Sequence, residues 1–145
     1  MTAKNKDDLI DGEVTTNVGL VSIVIPTKDS GNTLHSCLDS LMTQTYKHFE
    51  ILIVDRRSTD DTIRIADKFK ARIFNMDVER TTAKNFALRR ANGTFILFLD
   101  SDMVLESKVI EQCVGEMQAA DVGGIVIPEK STGSGFWVKV RDFER

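Results

Sequence analysis

Residues 94–102 read Thr-Phe-Ile-Leu-Phe-Leu-Asp-Ser-Asp, and this stretch decides the fold. Its first six residues are apolar or favour β-structure, and the turn signal Asn92-Gly93 precedes them. The run is too short to cross a membrane, so it predicts a strand that is buried on both faces. It ends in Asp100 and Asp102, and the carboxyl ends of strands form the ligand-binding edge of open α/β sheets. The stretch therefore predicts a site that uses two carboxylates.

The composition is that of one ordinary globular domain. The chain has 145 residues, of which 41% are hydrophobic and 28% charged, and its net charge is −3. No basic stripe points to nucleic acid as the main partner. Cys37 and Cys113 fit no metal or redox spacing, so we interpret both as small core residues. A signal peptide and an apolar run of about 18 residues are both absent, which predicts a cytoplasmic protein with no membrane segment.

Strand and helix patterns alternate along the chain. Strands are predicted at 20–25, 49–54, 71–74, 94–99 and 123–127, and helices at 34–42, 79–91 and 106–120. A further helix is predicted to follow the capping residues 58–61 and to include Ile63, Ala66 and Phe69. Alternation of this kind predicts an α/β fold, a mostly parallel sheet flanked by helices on both faces. We expect residues 1–18 to be a flexible leader that adds nothing to the fold, residues 19–128 to be the core, and residues 129–145 to be a loop and the start of a further segment.

Three predicted strands end in polar residues that should meet at one edge of the sheet: Pro26 to Asp29, Asp55, and Asp100 to Asp102. Two carboxylates separated by a small serine suit Mg²⁺ or Mn²⁺ held together with the phosphates of a ligand. Arg80 and Lys84 lie four residues apart on a predicted helix and can present two cations to a diphosphate. The alternative is that these acids only cap a turn and the two cations form a solvated helix face. Neither phosphate-binding glycine fingerprint is present.

Four motifs, in this order from about residue 20 onwards, resemble those of the inverting family 2 glycosyltransferases of GT-A fold, a Rossmann-like nucleotide-diphospho-sugar transferase fold. They are Val24-Ile25-Pro26-Thr27, Val54-Asp55 with Ser58-Thr59-Asp60 and Thr62, Ala83-Lys84-Asn85, and Leu99-Asp100-Ser101-Asp102.

The resemblance implies a nucleoside-diphosphate sugar donor and a role for each matching residue. Pro26, Thr27 and Asp29 would line the base and ribose pocket, and Asp55 would help to hold the base. The diphosphate would lie near Arg80, Lys84 and Asp100, and the metal, Mg²⁺ or Mn²⁺, would be held by Asp100 and Asp102. Of these two, Asp102 is expected to be the direct ligand.

This chain departs from the family pattern in two respects. Arg56 and Arg57 stand where the family commonly has Asp-Gly, so a second base-contacting acid is missing and the choice of base stays open. The family's general base and much of its acceptor site lie beyond the equivalent of residue 145. We therefore expect a truncated, donor-binding chain that is inactive alone. Its full-length form would act at the cytoplasmic membrane face on a lipid-linked or glycan acceptor.

Two other functions remain open from the residues. A sugar-phosphate nucleotidyltransferase would need a glycine-rich basic loop after the first strand, where Thr27 to Gly31 supplies one lysine and one glycine. A receiver-like module that binds Mg²⁺ would need paired acids at the same place and a lysine after the last strand.

Overall fold

The computed structural model describes residues 1–3, 17–119 and 122–130 of the chain. These residues form five strands and four helices. The strands are β1 (Thr2–Ala3), β2 (Asn17–Thr27), β3 (Phe49–Asp55), β4 (Arg72–Asn75) and β5 (Gly93–Phe98), and the helices are α1 (Leu34–Met42), α2 (Thr62–Lys68), α3 (Arg80–Leu88) and α4 (Val109–Ala119).

The strands form one sheet in the order β1-β5-β2-β3-β4. Strand β2 pairs in parallel with β3 and with β5, and β3 pairs in parallel with β4. The centre of β2 is fully buried on both faces, as the uniform apolar composition of such a strand requires. The register joins Thr27 to Asp55 and Val24 to Phe98, so the carboxyl ends of β2, β3 and β5 reach the same edge.

Helices cover both faces of this sheet, as the sequence predicts. Because side chains alternate along a strand, Val21, Ile23 and Ile25 face one core and Val24 faces the other. Helices α1, α2 and α4 bury Leu38, Ile65 and Ile110 in the first core. Helix α3 closes the second core with three alanines, whose small side chains bring the helix close to the sheet: Ala83, Ala87 and, just after it, Ala91.

The strand predicted at 123–127 is wrong. Gly124 makes one isolated bridge, the rest of this segment is irregular, and Val126 is 92% exposed. The place beside β5 belongs to β1, which pairs with it in antiparallel fashion. The segment instead contacts Met1, whose carbonyl accepts a hydrogen bond from the Ile125 N–H at 2.8 Å. The segment is therefore anchored to Met1, next to β1, and does not pair with β5 as a further strand.

The expectation that residues 1–18 add nothing to the fold is wrong at both ends of that segment. Residues 2–3 form β1, and residues 17–18 already belong to β2. Residues 2–3 become a strand because they pair with β5, and this pairing could not be seen in their own sequence. Residues 4–16 lie outside the described residues, as do residues 131–145, which hold most of the predicted loop and the start of the further segment.

A polar cluster joins β2, β3 and β5 near their amino ends. The Ser22 hydroxyl donates to Glu50 at 2.6 Å and accepts from the Gly93 N–H at 2.9 Å. Glu50 also accepts from the Asn92 N–H at 2.7 Å and from Arg72 at 2.8 Å. Burial acts to raise the pKa of Glu50, but the hydrogen bonds from Ser22, Asn92 and Arg72 outweigh it, so the pKa is lowered. This cluster lies at the opposite end of the strands from the predicted site.

Candidate functional site

An open cleft of about 160 Å³ lies at the carboxyl edge of the sheet. It opens where the chain order reverses, since β3 flanks β2 on one side and β5 on the other. Ligands of open α/β sheets bind at such a switch point. Its lining comes from the ends of β2 and β3, the segments after β4 and β5, and α3: Pro26, Thr27, Lys28, Ser30, Val54, Arg56, Met76, Val78, Ala83 and Ser101.

Asp55 is buried between the lining residues Val54 and Arg56, and we call it the floor of the cleft. Its side chain is fully buried, and Oδ1 accepts hydrogen bonds from the Thr27 hydroxyl at 2.8 Å and the Ser58 hydroxyl at 2.5 Å. Its Oδ2 accepts from the Ser58 N–H at 2.7 Å. These bonds fix the ends of β2 and β3 relative to each other. The structure therefore gives this carboxylate a positioning task, and its predicted contact with a base stays a prediction.

Two loops, residues 27–31 and 55–62, are joined above this floor, and we call them the paired loops. Asp29, with φ of 46°, accepts from the Thr59 N–H at 2.8 Å and donates its own N–H to the Ser58 hydroxyl at 2.8 Å. The Thr59 N–H, together with the Lys28 ammonium 3.0 Å away, lowers the pKa of the Asp29 carboxyl.

Asp60 makes a matching connection on the other side of the paired loops. It accepts from the Gly31 N–H at 2.8 Å and from the Thr62 hydroxyl, and the Thr62 hydroxyl and the Gly31 N–H lower the pKa of this carboxyl. The acids of the two loops therefore hold the loops together.

The turn after β5, residues 100–103, carries the two predicted metal ligands, and we call it the acidic turn. Asp100 is half-buried and Asp102 is exposed. The Cys37 thiol lies 3.7 Å from the Asp100 carbonyl oxygen. Burial, followed by the charges of Asp102 and Asp100, raises the pKa of this thiol to about 12.

The donor set fits a hard divalent cation in part. No group of three or more potential ligands occurs within residues 1–3, 17–119 and 122–130. Two carboxylates with the phosphates of a ligand are nevertheless the usual arrangement for Mg²⁺. The residues therefore fit a cation that binds together with a diphosphate, and not one held by protein alone.

Positive charges surround the cleft. Lys28 and Arg56 line it, and Lys84 Nζ lies 5.4 Å from the centroid of Phe98, two residues before Asp100. Arg80 begins α3, one helical turn before Lys84, and its side chain lies outside what the structure describes. Lys84 therefore lies against the carboxyl end of β5, and its predicted place near a diphosphate stays a prediction.

The structure brings most of the predicted residues to one edge, in different roles. Pro26 and Thr27 line the cleft, whereas Asp29 and Asp55 use their oxygens within the paired loops. Sequence reasoning missed Ser30 and the apolar wall of Met76 and Val78, which follows β4 without any motif. It included Lys28 and Ser101 in the segments expected at this edge but gave neither of them a role.

The sequence model of the family described as "Glycosyl transferase family 2" matches residues 22–144. Glycosyltransferase GlyG of Streptococcus pneumoniae is 30% identical in an alignment of 136 residues that covers 86% of this chain and 45% of that protein. The Escherichia coli protein named UDP-Glc:alpha-D-GlcNAc-diphosphoundecaprenol beta-1,3-glucosyltransferase WfaP is 43% identical in an alignment of 88 residues that covers 57% of this chain and 35% of its own length.

Solved structures are similar as well. The crystal structure of S. aureus TarS 1-349 in complex with UDP-GlcNAc superposes with a TM-score of 0.65 at 25% identity, covering 76% of this chain and 37% of that one. The chain therefore spans less than half the length of these relatives.

Proposed function

The chain belongs to glycosyl transferase family 2, and on this premise we propose that it forms the nucleotide-sugar-binding part of a glycosyltransferase. Its fold is the GT-A fold of the structurally similar transferases. The proposed reaction transfers a sugar from a nucleoside-diphosphate sugar to an acceptor hydroxyl, with inversion and with a divalent metal ion. The observation that carries the proposal is the cleft that joins Pro26, Thr27 and Ser101 at the carboxyl edge of the sheet, beside Asp100 and Asp102.

The base would occupy the part of the cleft between the end of β2 and the segment after β4. Met76 and Val78 offer an apolar wall, and Thr27 offers a polar group opposite it. Ligand pockets combine apolar walls with a few polar groups in this way. Asp55 would support the base from beneath by fixing Thr27. TarS was crystallised with UDP-GlcNAc and WfaP is named for UDP-Glc, so we propose uracil as the base.

The diphosphate would lie between the cations and the acidic turn. Lys28 and Arg56 line the cleft, Lys84 lies beside β5, and Arg80 lies one turn earlier on α3. Asp100 and Asp102 would hold Mg²⁺ or Mn²⁺, with Asp102 as the direct ligand because it is the more exposed. When bound, the ion supplies positive charge that stabilises the departing nucleoside diphosphate.

Transfer also needs a base that takes the proton of the acceptor hydroxyl. The residues that line the cleft in the described part of the chain include no carboxylate and no histidine. We therefore propose that the described residues bind the donor and that the proton acceptor lies outside the residues that line this cleft. WfaP is named for a diphosphoundecaprenol-linked acceptor, which supports a lipid-linked or glycan acceptor. Across the described residues, no helix has the length and apolar character of a membrane span.

The family match supports this function over the nucleotidyltransferase and the receiver-like module. Titration calorimetry with UDP, in Mn²⁺ and in EDTA, tests it. We expect UDP to bind the wild-type chain more tightly in Mn²⁺, and Asp102→Asn to remove that gain. Asp67→Asn, an exposed acid on α2, serves as the matched control and should bind like the wild type.

Two results would contradict the proposal. Absence of binding by UDP, GDP and CDP in Mn²⁺ would refute donor binding as a whole. Unchanged Mn²⁺ dependence in Asp102→Asn would refute the assigned metal site while leaving nucleotide binding intact.

A further inference from the structure

The acidic turn leaves the sheet directly after Leu99. The Leu99 N–H donates to the Val24 carbonyl at 3.0 Å, which is the end of the pairing between β5 and β2. Beyond it the turn closes on itself through the Met103 N–H and the Asp100 carbonyl, 3.1 Å apart. A short turn with two carboxylates needs further support if its side chains are to point at one cation, because like charges repel each other.

A side-chain bond supplies such support from a distant part of the chain. The Ser101 hydroxyl donates to the Ser30 hydroxyl at 3.0 Å, across 71 residues of sequence. Ser101 is the residue between the two acids, so a bond at its side chain restrains the backbone on which both carboxylates are carried. Ser30 itself is only 9% exposed.

Ser30 is well suited to this task because two helices hold its backbone. Its N–H donates to the Thr62 hydroxyl at 2.8 Å, at the start of α2. Its carbonyl accepts from the Thr33 N–H at 3.1 Å and the Leu34 N–H at 2.9 Å, at the start of α1. The Ser30 hydroxyl therefore starts from a backbone that is fixed on both sides.

We propose that Ser30 is a positioning residue for the divalent cation: through its bond to Ser101 it holds Asp100 and Asp102 in the orientation that binds metal and diphosphate together. The inference rests on the proposed metal-dependent donor binding. In other sites, loss of a group that hydrogen-bonds directly to a metal ligand weakens metal affinity by about 10- to 100-fold. Ser30 acts through Ser101, one residue from each acid, so we expect the lower end of that range. Nothing in the four family motifs includes position 30, so the assignment depends on the tertiary structure.

The test measures UDP affinity by calorimetry, in saturating Mn²⁺ and in EDTA. Ser30→Ala is expected to weaken UDP binding about tenfold in Mn²⁺, in line with the effect of such partners elsewhere. In EDTA we expect a smaller loss than in Mn²⁺, because Ser30 also lines the cleft but its bond to Ser101 acts on the carboxylates that hold the metal. Ser30→Thr keeps a hydroxyl at this position and should restore most of the loss.

Two further variants keep the test decisive. Ser101→Ala removes the same hydrogen bond from its other end and should reproduce the loss of UDP affinity in Mn²⁺. It keeps the test valid if Ser30→Ala folds poorly. Ser22→Ala is the matched control, because Ser22 is also a buried serine and its hydroxyl also joins β2 to β5, but away from the carboxyl edge of the sheet. It should lower the melting temperature and leave the Mn²⁺ dependence unchanged.

The outcomes separate this inference from the proposed function. If the wild-type chain shows no Mn²⁺-dependent UDP binding, both fail. If Ser30→Ala loses as much UDP affinity in EDTA as in Mn²⁺, its gain in affinity from Mn²⁺ equals that of the wild type. The positioning role then fails and the proposed function stands.

Discussion

Replacement of Asp55 by alanine should destabilise the chain by about 3 kcal/mol. The carboxylate is fully buried and accepts three hydrogen bonds, two from hydroxyls and one from the Ser58 N–H. Hydrogen bonds to charged groups each contribute about 1.5–3 kcal/mol, and a buried group left without a partner costs about 1–3 kcal/mol. Ser58 is partly exposed, so water can replace its two bonds in the variant. We therefore count about 1.5 kcal/mol for the lost bond from Thr27 and about 1.5 kcal/mol for leaving the buried Thr27 hydroxyl without this partner, which gives about 3 kcal/mol. A loss of about 3 kcal/mol is smaller than the 5–15 kcal/mol by which a typical domain is stable, so the variant should still fold.

Asp55→Asn should cost less, about 1 kcal/mol, because one oxygen remains to accept from the Ser58 N–H and the amide can donate to both hydroxyls. Asp67→Ala removes an exposed acid of α2 and should change the free energy of unfolding by less than about 0.5 kcal/mol. Urea denaturation followed by far-ultraviolet circular dichroism measures all three, with equal m-values as the check that unfolding stays two-state. If Asp55→Ala loses less than about 1 kcal/mol, the bonds to Asp55 do not hold the two strands, and our reasoning about the floor of the cleft is wrong.

Two further predictions concern the opposite end of the strands. Gly93→Ala should lower the free energy of unfolding by about 3 kcal/mol, because a Cβ there would lie 2.6 Å from the Leu20 carbonyl oxygen. Gly115→Ala, in α4, would place a Cβ with nothing within 4 Å and should raise the free energy of unfolding by about 0.5 kcal/mol. Equal melting temperatures for the two variants would contradict this prediction. The pKa of Glu50 is lowered in the folded chain, so its contribution to stability is complete at neutral pH and is lost as the pH falls below about 4. The difference in unfolding free energy between wild type and Glu50→Gln should therefore narrow between about pH 6 and about pH 3, and a constant difference would exclude this role for the carboxylate.

Most of the fold was accessible from local patterns. The apolar run at 94–99 and its neighbours became strands, since a run that is apolar at every position is stable only where both faces of a sheet are covered. The short strand at 72–75 lies within one residue of its predicted place. The pattern failed at 123–127, because an apolar composition shows that a segment can be buried but does not show which segment pairs with β5, and β1 occupies that position.

The candidate site was predicted as a set of residues and not as an arrangement. Asp29, Asp55 and Asp100 were all expected at one edge, and they are there. Their individual roles did not follow from the motifs. A carboxylate that meets a ligand and one that accepts bonds from a neighbouring loop look alike in sequence, since both sit at the end of a strand.

The sequence by itself determined the α/β class, the family and the acidic turn after β5, because these depend on periodicity and on short motifs that are local in the chain. The tertiary structure alone decided that β1 flanks β5, that Asp55 and Asp29 use their oxygens to join two loops, and that Ser30 meets Ser101 across 71 residues. These contacts depend on the register of paired strands and on where helices begin in space. A hydrogen bond acts only within about 3 Å, so its partner is known only when both segments have been positioned.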